Sequence, residues 1–288
     1  MNRVLILFLL ILLQTVSFSF PITVTDESNT KFTILSKPKR IISTMPSNTE
    51  ILFNLGLSKK IVGVTTYCNY PKEARNKKKI GSQSLNTEMI FALNPDIIIM
   101  LGDAQRNQIE LLRKFGLPVF VINPHKLADV PSSIILLGKI TGAKKEAEDL
   151  SVKMCAKIGE ISKIQKSLIK PKVFVCLYTE PLLTAGRDTF IDDMINLSGG
   201  INIGADAQGT YPLINFEKII ESDPDYIIVS GKSKKEMDYF KTSSKWNGLK
   251  AIKENHIMLI DSDIITRPSP RLVEALDLIN RFINPAEE

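Results

Sequence analysis

The chain has 288 residues, 44% of them hydrophobic, and carries 37 Lys and Arg against 31 Asp and Glu, a formal net charge of +6. That length suits one large domain or two medium ones. The lysines are scattered and no basic stripe carries interleaved aromatics, which excludes a nucleic-acid interface, and three cysteines exclude a full disulfide framework.

Residues 4–13 form an unbroken apolar run after Arg3, followed by the small residues Ser17 and Ser19. This is the pattern of a cleavable secretory signal over residues 1–19, too short for the ~20 residues that span a bilayer. The alternative is an uncleaved anchor reaching Phe20. The first cysteine is Cys68, so the lipoprotein route is closed and a soluble exported protein is expected. Residues 23–36 alternate as a small edge hairpin turned by Asn29. Residues 40–43 and 61–65 read as strands. Ser47 and Glu50 have the spacing of a capping box, opening a helix over 49–55.

Residues 85–100, LNTEMIFALNPDIIIM, come next and recur as INFEKIIESDPDYIIVS over 214–230. Asn86, Glu88, Ile90, Pro95, Asp96, Ile98 and Ile99 return at one constant spacing as Asn215, Glu217, Ile219, Pro224, Asp225, Ile227 and Ile228. A repeat this widely spaced means two similar folding units. Each copy reads as a short helix, a Pro-Asp turn and a buried strand of a parallel sheet. Asn86 and Asn215 are the expected helix caps, with Glu88 and Glu217 in the first turn, where the helix dipole favours negative charge.

A helix is predicted over 104–115 and a strand over 119–122. Another helix over 127–139 ends near Gly142. Residues 143–168 follow a helical period closely enough to predict one long, stiff connecting helix, with Cys155 on its buried side and Pro171 preventing continuation. The second unit begins with a strand over 172–178 that buries Cys176. It continues with a helix over 189–197, a lysine-rich helix after Gly231, a strand over 257–260, a loop over 261–270 and a terminal helix over 271–283. Strands alternating with helices mean an α/β fold of two parallel-sheet lobes. The expected divisions are a signal peptide (1–19), an N-terminal lobe (20–142), the connecting helix (143–168) and a C-terminal lobe (169–288).

Ligands of open parallel sheets bind beyond the carboxyl ends of the strands. The loops there hold Tyr67, Tyr70, Tyr178 and Tyr211, four of six tyrosines. Flat faces with phenolic edges suit a large, partly apolar ligand, although each tyrosine also suits core packing. Arg267 and Arg187 have the forked donors that pair with anionic groups, and the alternative for Arg267 is an ion pair with Asp263. Catalysis has little support. His125 and His256 are far apart in sequence, and no patterned nucleophile, phosphate loop or metal pair occurs. His125 reads as a surface loop residue and Cys68 as a loop thiol between tyrosines.

The segments PKRIISTMPSNTEILFNLG, GVTTYCNYPKEA, NTE with ALNPDIII, and TRPSPR, in that order, resemble the substrate-binding proteins of the iron-siderophore, haem and cobalamin ABC importers, and most closely their cobalamin-binding branch. The resemblance covers residues 37–282. It implies two βα lobes joined by one rigid helix (the class III type), a ligand cleft between them, and no catalytic role or intrinsic cofactor. It also implies a periplasmic monomer that delivers a small-molecule metal complex, a corrinoid or an iron complex, to an inner-membrane ABC permease. By that resemblance Glu88 and Glu217 match permease-docking glutamates. Tyr67 matches an aromatic ligand contact, Tyr211 stands for a tryptophan, and Asp263 and Arg267 match polar contacts. Ser82 and Leu101 stand where the cobalamin-binding branch has tryptophans, which leaves another corrinoid, a ferric siderophore or haem open. A haem-binding version would use Tyr67 or Tyr178 as axial ligand. The remaining alternatives are a metal-dependent periplasmic enzyme on this fold and a scaffold that has lost its ligand.

Overall fold

A computed structural model describes residues 20–163 and 170–285. The signal-peptide reading of residues 1–19 falls outside it, as does the end of the expected connecting helix. The first lobe opens with the hairpin β1 (Ile22–Thr25) and β2 (Lys31–Ile34), turned through Asn29 at φ 62°. Then come β3 (Ile41–Ser43), α1 (Pro46–Asn54), β4 (Ile61–Val64), α2 (Thr87–Ala92), β5 (Ile97–Leu101), α3 (Arg106–Lys114) and β6 (Val119–Ile122). Helices α4 (Asp129–Thr141) and α5 (Lys144–Ser162) lead to the second lobe. That lobe holds β7 (Lys172–Cys176), the small hairpin β8 (Tyr178–Thr179) and β9 (Leu182–Leu183), α6 (Phe190–Leu197), β10 (Ile201–Asn202), α7 (Phe216–Ser222) and β11 (Tyr226–Gly231). It closes with α8 (Lys234–Thr242), α9 (Lys250–Lys253), β12 (Ile257–Asp261), α10 (Ser262–Ile265) and α11 (Leu272–Ile283).

The duplication read in the sequence is a duplication of topology. One parallel sheet has the order β4-β3-β5-β6 and the other β10-β7-β11-β12, with the repeated strands β5 and β11 in the same place. The repeated aspartates explain part of the conserved spacing. The Asp96 carboxylate accepts from the backbone N–H groups of Lys39 (2.6 Å) and Arg40 (2.9 Å), and the Asp225 carboxylate from that of Lys172 (2.8 Å). Each Pro-Asp turn therefore clamps the start of the first strand in its lobe's parallel sheet.

Apolar residues on α4, α5, α6 and α11 join the inner faces of both lobes into one continuous buried cluster. Only Ala147, Met154 and Ile161 of α5 are fully buried. Helix α5 ends at Ser162, with Lys163 as its cap, so the described length is 19 residues, ~28 Å. One expectation about the cysteines reverses. Cys155, on the same helix, is exposed, because the apolar stripe is narrower than its sequence period suggested. Cys68 is buried and shares hydrogen bonds with Thr49 and Thr65. Cys176 is buried as read, and burial pushes its thiol up to about 12.

Three local expectations also change. Helix α1 starts at Pro46, whose ring fits the first helical position, and no side chain caps it. The Ser47–Glu50 capping box is not formed, because Glu50 is turned into the protein. Asn86 caps α2 by accepting from the N–H of Met89 (2.8 Å), whereas the Asn215 side chain caps nothing. The loop over 261–270 contains the short helix α10.

Candidate functional site

Four consecutive polar side chains, Ser47, Asn48, Thr49 and Glu50, are buried on the first turns of α1. Such a run is costly inside a protein unless it meets partners. Thr49 finds its partners in its own lobe, Ser43 and Cys68, whereas those of Glu50 come from the other lobe. The Glu50 carboxylate, fully buried, accepts from Arg267 Nη1 (2.8 Å) and Ser269 Oγ (2.7 Å). Arg267 Nη1 also donates to Asn69 Oδ1 (2.9 Å), and its Nη2 pairs with Asp263 (2.7 Å). Asn69 Nδ2 and Lys232 Nζ both donate to Asp263 Oδ2 at 2.8 Å. Burial pushes the Glu50 carboxyl above its ordinary value, outweighing Arg267 and Ser269. For Asp263 burial pushes the same way, but Lys232, Asn69 and Arg267 win and hold the carboxyl below it. The result is a polar latch across the two lobes.

A cavity of about 510 Å³ lies on this latch, within the range of small-molecule sites. Its first-lobe wall comprises Thr44–Ser47 of the β3–α1 turn, with Tyr67, Ser82, Gln83, Leu101, Ala104, Gln105 and Gln108, and its other wall Thr266, Arg267 and Pro268. The carboxyl ends of β3, β4 and β5 place the first set, as the parallel-sheet rule requires. The amides there are organised by one another. Gln105 Oε1 accepts from Thr44 Oγ1 (2.5 Å) and from the Leu101 N–H (3.2 Å), and Gln105 Nε2 donates to Gln108 (3.3 Å).

The structure therefore brings Tyr67, Ser82, Leu101 and Arg267 to one cavity, with Asp263 directly behind Arg267. Tyr67 is 50% exposed there. Tyr70 borders a separate hollow with Phe53 and Lys77, and the Arg271 guanidinium lies 4.2 Å from its ring centre. Tyr178, at the start of β8, and Tyr211, on the loop before α7, stand exposed on the second lobe, and the Thr184 N–H to Pro212 O bond (3.0 Å) ties the two segments. Arg187 is spent on Asp206 (2.5 Å). His125 is exposed beside Asp103. Glu88 and Glu217 are both exposed at their helix starts, away from the cavity lining. Sequence reading missed Glu50, Asn69, Lys232, Ser269 and the three glutamines. The burial of an unbroken polar run ahead of ILFNLG was the one signal available for the first of them. Among the described residues no cluster of three His, Cys, Asp or Glu side chains converges as a metal site needs.

Two duplicated parallel-sheet lobes facing across a cavity of mixed polar and apolar lining define a two-lobed, class III type binding protein. A family model described as periplasmic binding protein matches residues 41–264, and the chain belongs to that family. A Bacillus subtilis protein named as an uncharacterized ABC transporter substrate-binding lipoprotein is 33% identical over 274 residues, covering 92% of this chain and 86% of its own. A vitamin B12-binding protein of Vibrio parahaemolyticus is 27% identical over 249 residues, covering 85% and 89%. The crystal structure of a possible iron-binding (periplasmic solute-binding) protein from Staphylococcus epidermidis superposes with a TM-score of 0.75 at 30% identity, covering 86% of this chain and 99% of that one.

Proposed function

We propose that this protein is the exported substrate-binding component of an ABC importer, and that it carries a corrinoid in the cavity between its lobes to a membrane permease. The charge balance of the cavity carries the choice of ligand. Its one cationic lining group, Arg267, is already matched by Glu50 and Asp263. The other polar lining groups are amides and hydroxyls of Gln83, Gln105, Gln108, Thr44, Ser47, Tyr67, Ser82 and Thr266. Neutral amides pair well with the carboxamide fringe of a corrin ring. Haem propionates and carboxylate siderophores call for unpaired cations, because a buried charge needs a partner. Tyr67 and Leu101 supply flat and apolar surface, and Tyr178 and Tyr211 extend the contact from the second lobe. The vitamin B12-binding relative points the same way. Stiff lobes reduce the ordering cost of binding.

In this reading the chain acts as a monomer without catalytic chemistry. Its divisions are a leader (1–19), an N-terminal lobe (20–142), a connecting segment (143–168) that contains helix α5, and a C-terminal lobe (169–288). It works outside the membrane that holds the permease. Glu88 and Glu217 dock it to the permease. Titration of the purified protein with cyanocobalamin, haemin and a ferric siderophore tests the ligand. Retention of cyanocobalamin alone is expected, with weaker retention in Gln108→Leu. A Soret shift with haemin and no cobalamin retention overturns it in favour of a haem carrier.

A further inference from the structure

The repeated helices α2 and α7 match in more than their glutamates. Three residues after Glu88 stands Phe91, and three after Glu217 stands Ile220, at the same spacing that relates the two copies. Residues three apart share a helix face with ~5–6 Å between their Cβ atoms. Phe91 is 48% exposed and Ile220 51%, although each helix buries Ile90 or Ile219 completely one residue earlier. Each lobe thus presents a carboxylate and a large apolar side chain side by side on one exposed face. Neither Glu88 nor Glu217 has an intramolecular hydrogen-bond or ion-pair partner among the described residues. On the first lobe the apolar surface extends further. The Phe91 ring meets Phe115 edge-on at 6.2 Å, and Phe115 and Leu111 are themselves 53% and 46% exposed.

Single exposed apolar residues are ordinary. A large exposed apolar residue at the same position beside the same unpaired acid, once per lobe, is not scattered exposure. Burying Phe91 and Ile220 would stabilise a complex in a way that salt does not screen, whereas the glutamates contribute mainly orientation and encounter rate. We infer that Phe91 and Ile220 are the apolar anchors of a paired docking surface, whose partner is a two-fold repeated membrane-protein face that offers, on each half, an apolar socket next to a cationic side chain. This rests on the importer reading above and adds the contact that holds the complex once charge has oriented it.

The test uses the full protein and the producing organism's own cyanocobalamin-importing membrane complex in nanodiscs, with docking measured by biolayer interferometry at low salt and near 1 M salt. Phe91→Ser and Ile220→Ser should each weaken docking by roughly tenfold, the double variant more, and the loss should persist at high salt. Glu88→Gln with Glu217→Gln should weaken docking chiefly at low salt. Leu278→Ser, an exposed apolar residue on α11, should leave docking unchanged. Melting temperature and cyanocobalamin affinity should stay at wild-type values in all of them. Wild-type docking by Phe91→Ser/Ile220→Ser overturns the inference and leaves the importer reading standing. Failure of the wild-type protein to dock overturns both.

Discussion

Glu50 shows how one side chain can be misread from its neighbours. Its spacing from Ser47 fits a capping box, and local chemistry alone favours that role. Tertiary structure offers more: a guanidinium and a hydroxyl from the other lobe, at 2.8 and 2.7 Å. Nothing in the local sequence announces a partner more than two hundred positions away. Removing one member of a buried ion pair costs ~3–5 kcal/mol, because the survivor stays desolvated, while replacing both by apolar groups is often neutral. Glu50→Ala should therefore lose about that much in urea melts, and Glu50→Met with Arg267→Met should recover most of it. The pH dependence follows from the raised carboxyl. The folded protein holds the Glu50 proton more tightly than the unfolded chain does. This contribution to stability thus falls as pH rises from the ordinary value of 4.5 through the folded one, then stays level. The stability advantage of wild type over Glu50→Gln should shrink across that window. Asp263 has the opposite sign, since its lowered carboxyl stabilises above the ordinary 3.8 and loses that contribution as pH falls.

Elements were legible where a pattern answers to local physics. The apolar strands, the alternating hairpin and the stop at Gly142, which takes φ 72°, follow from side-chain period and backbone sterics. The caps divide on geometry that sequence does not carry. Asn86 receives the Met89 N–H, while its counterpart Asn215 occupies the same position without a side-chain bond. Asn86→Ala should cost ~1 kcal/mol in denaturant melts, and Asn215→Ala only a few tenths. Equal losses would show that the two copies cap alike. The connecting helix was legible as a helix but not in its contacts. It is stapled to α4 at Gly138, where an added Cβ would stand 2.2 Å from Ala147 Cβ and 2.9 Å from Ala143 O. Alanine gains ~1 kcal/mol of helix propensity, but forcing the pair apart costs ~1–3 kcal/mol. Gly138→Ala should be net destabilising by thermal melt, and a gain in melting temperature would contradict the close packing.

At the scale of the molecule, the lobes are joined twice. Behind the cleft, α4, α5, α6 and α11 share a buried cluster that includes inner-face residues of both sheets. On the cavity side, Glu50 and Asn69 of one lobe hold Arg267, Ser269 and Asp263 of the other. A single covalent crossing would permit hinge motion, and the polar latch opposes it. Relative motion of the lobes would have to break four hydrogen bonds to charged groups, ~1.5–3 kcal/mol each, before any ligand contact is made. Ligand binding should therefore shift the lobes by about 1 Å or less. Spin labels at Asn107→Cys and Ser244→Cys, with Cys155→Ser removing the exposed native thiol, report this as a distance distribution. The distribution should be narrow and unchanged by cyanocobalamin in the otherwise wild-type protein. Adding Glu50→Ala should broaden it in the free protein and let the ligand narrow it again. A wild-type distribution that is broad when free and contracts on ligand addition would mean that the cleft closes by hinge motion and that the latch forms only afterwards.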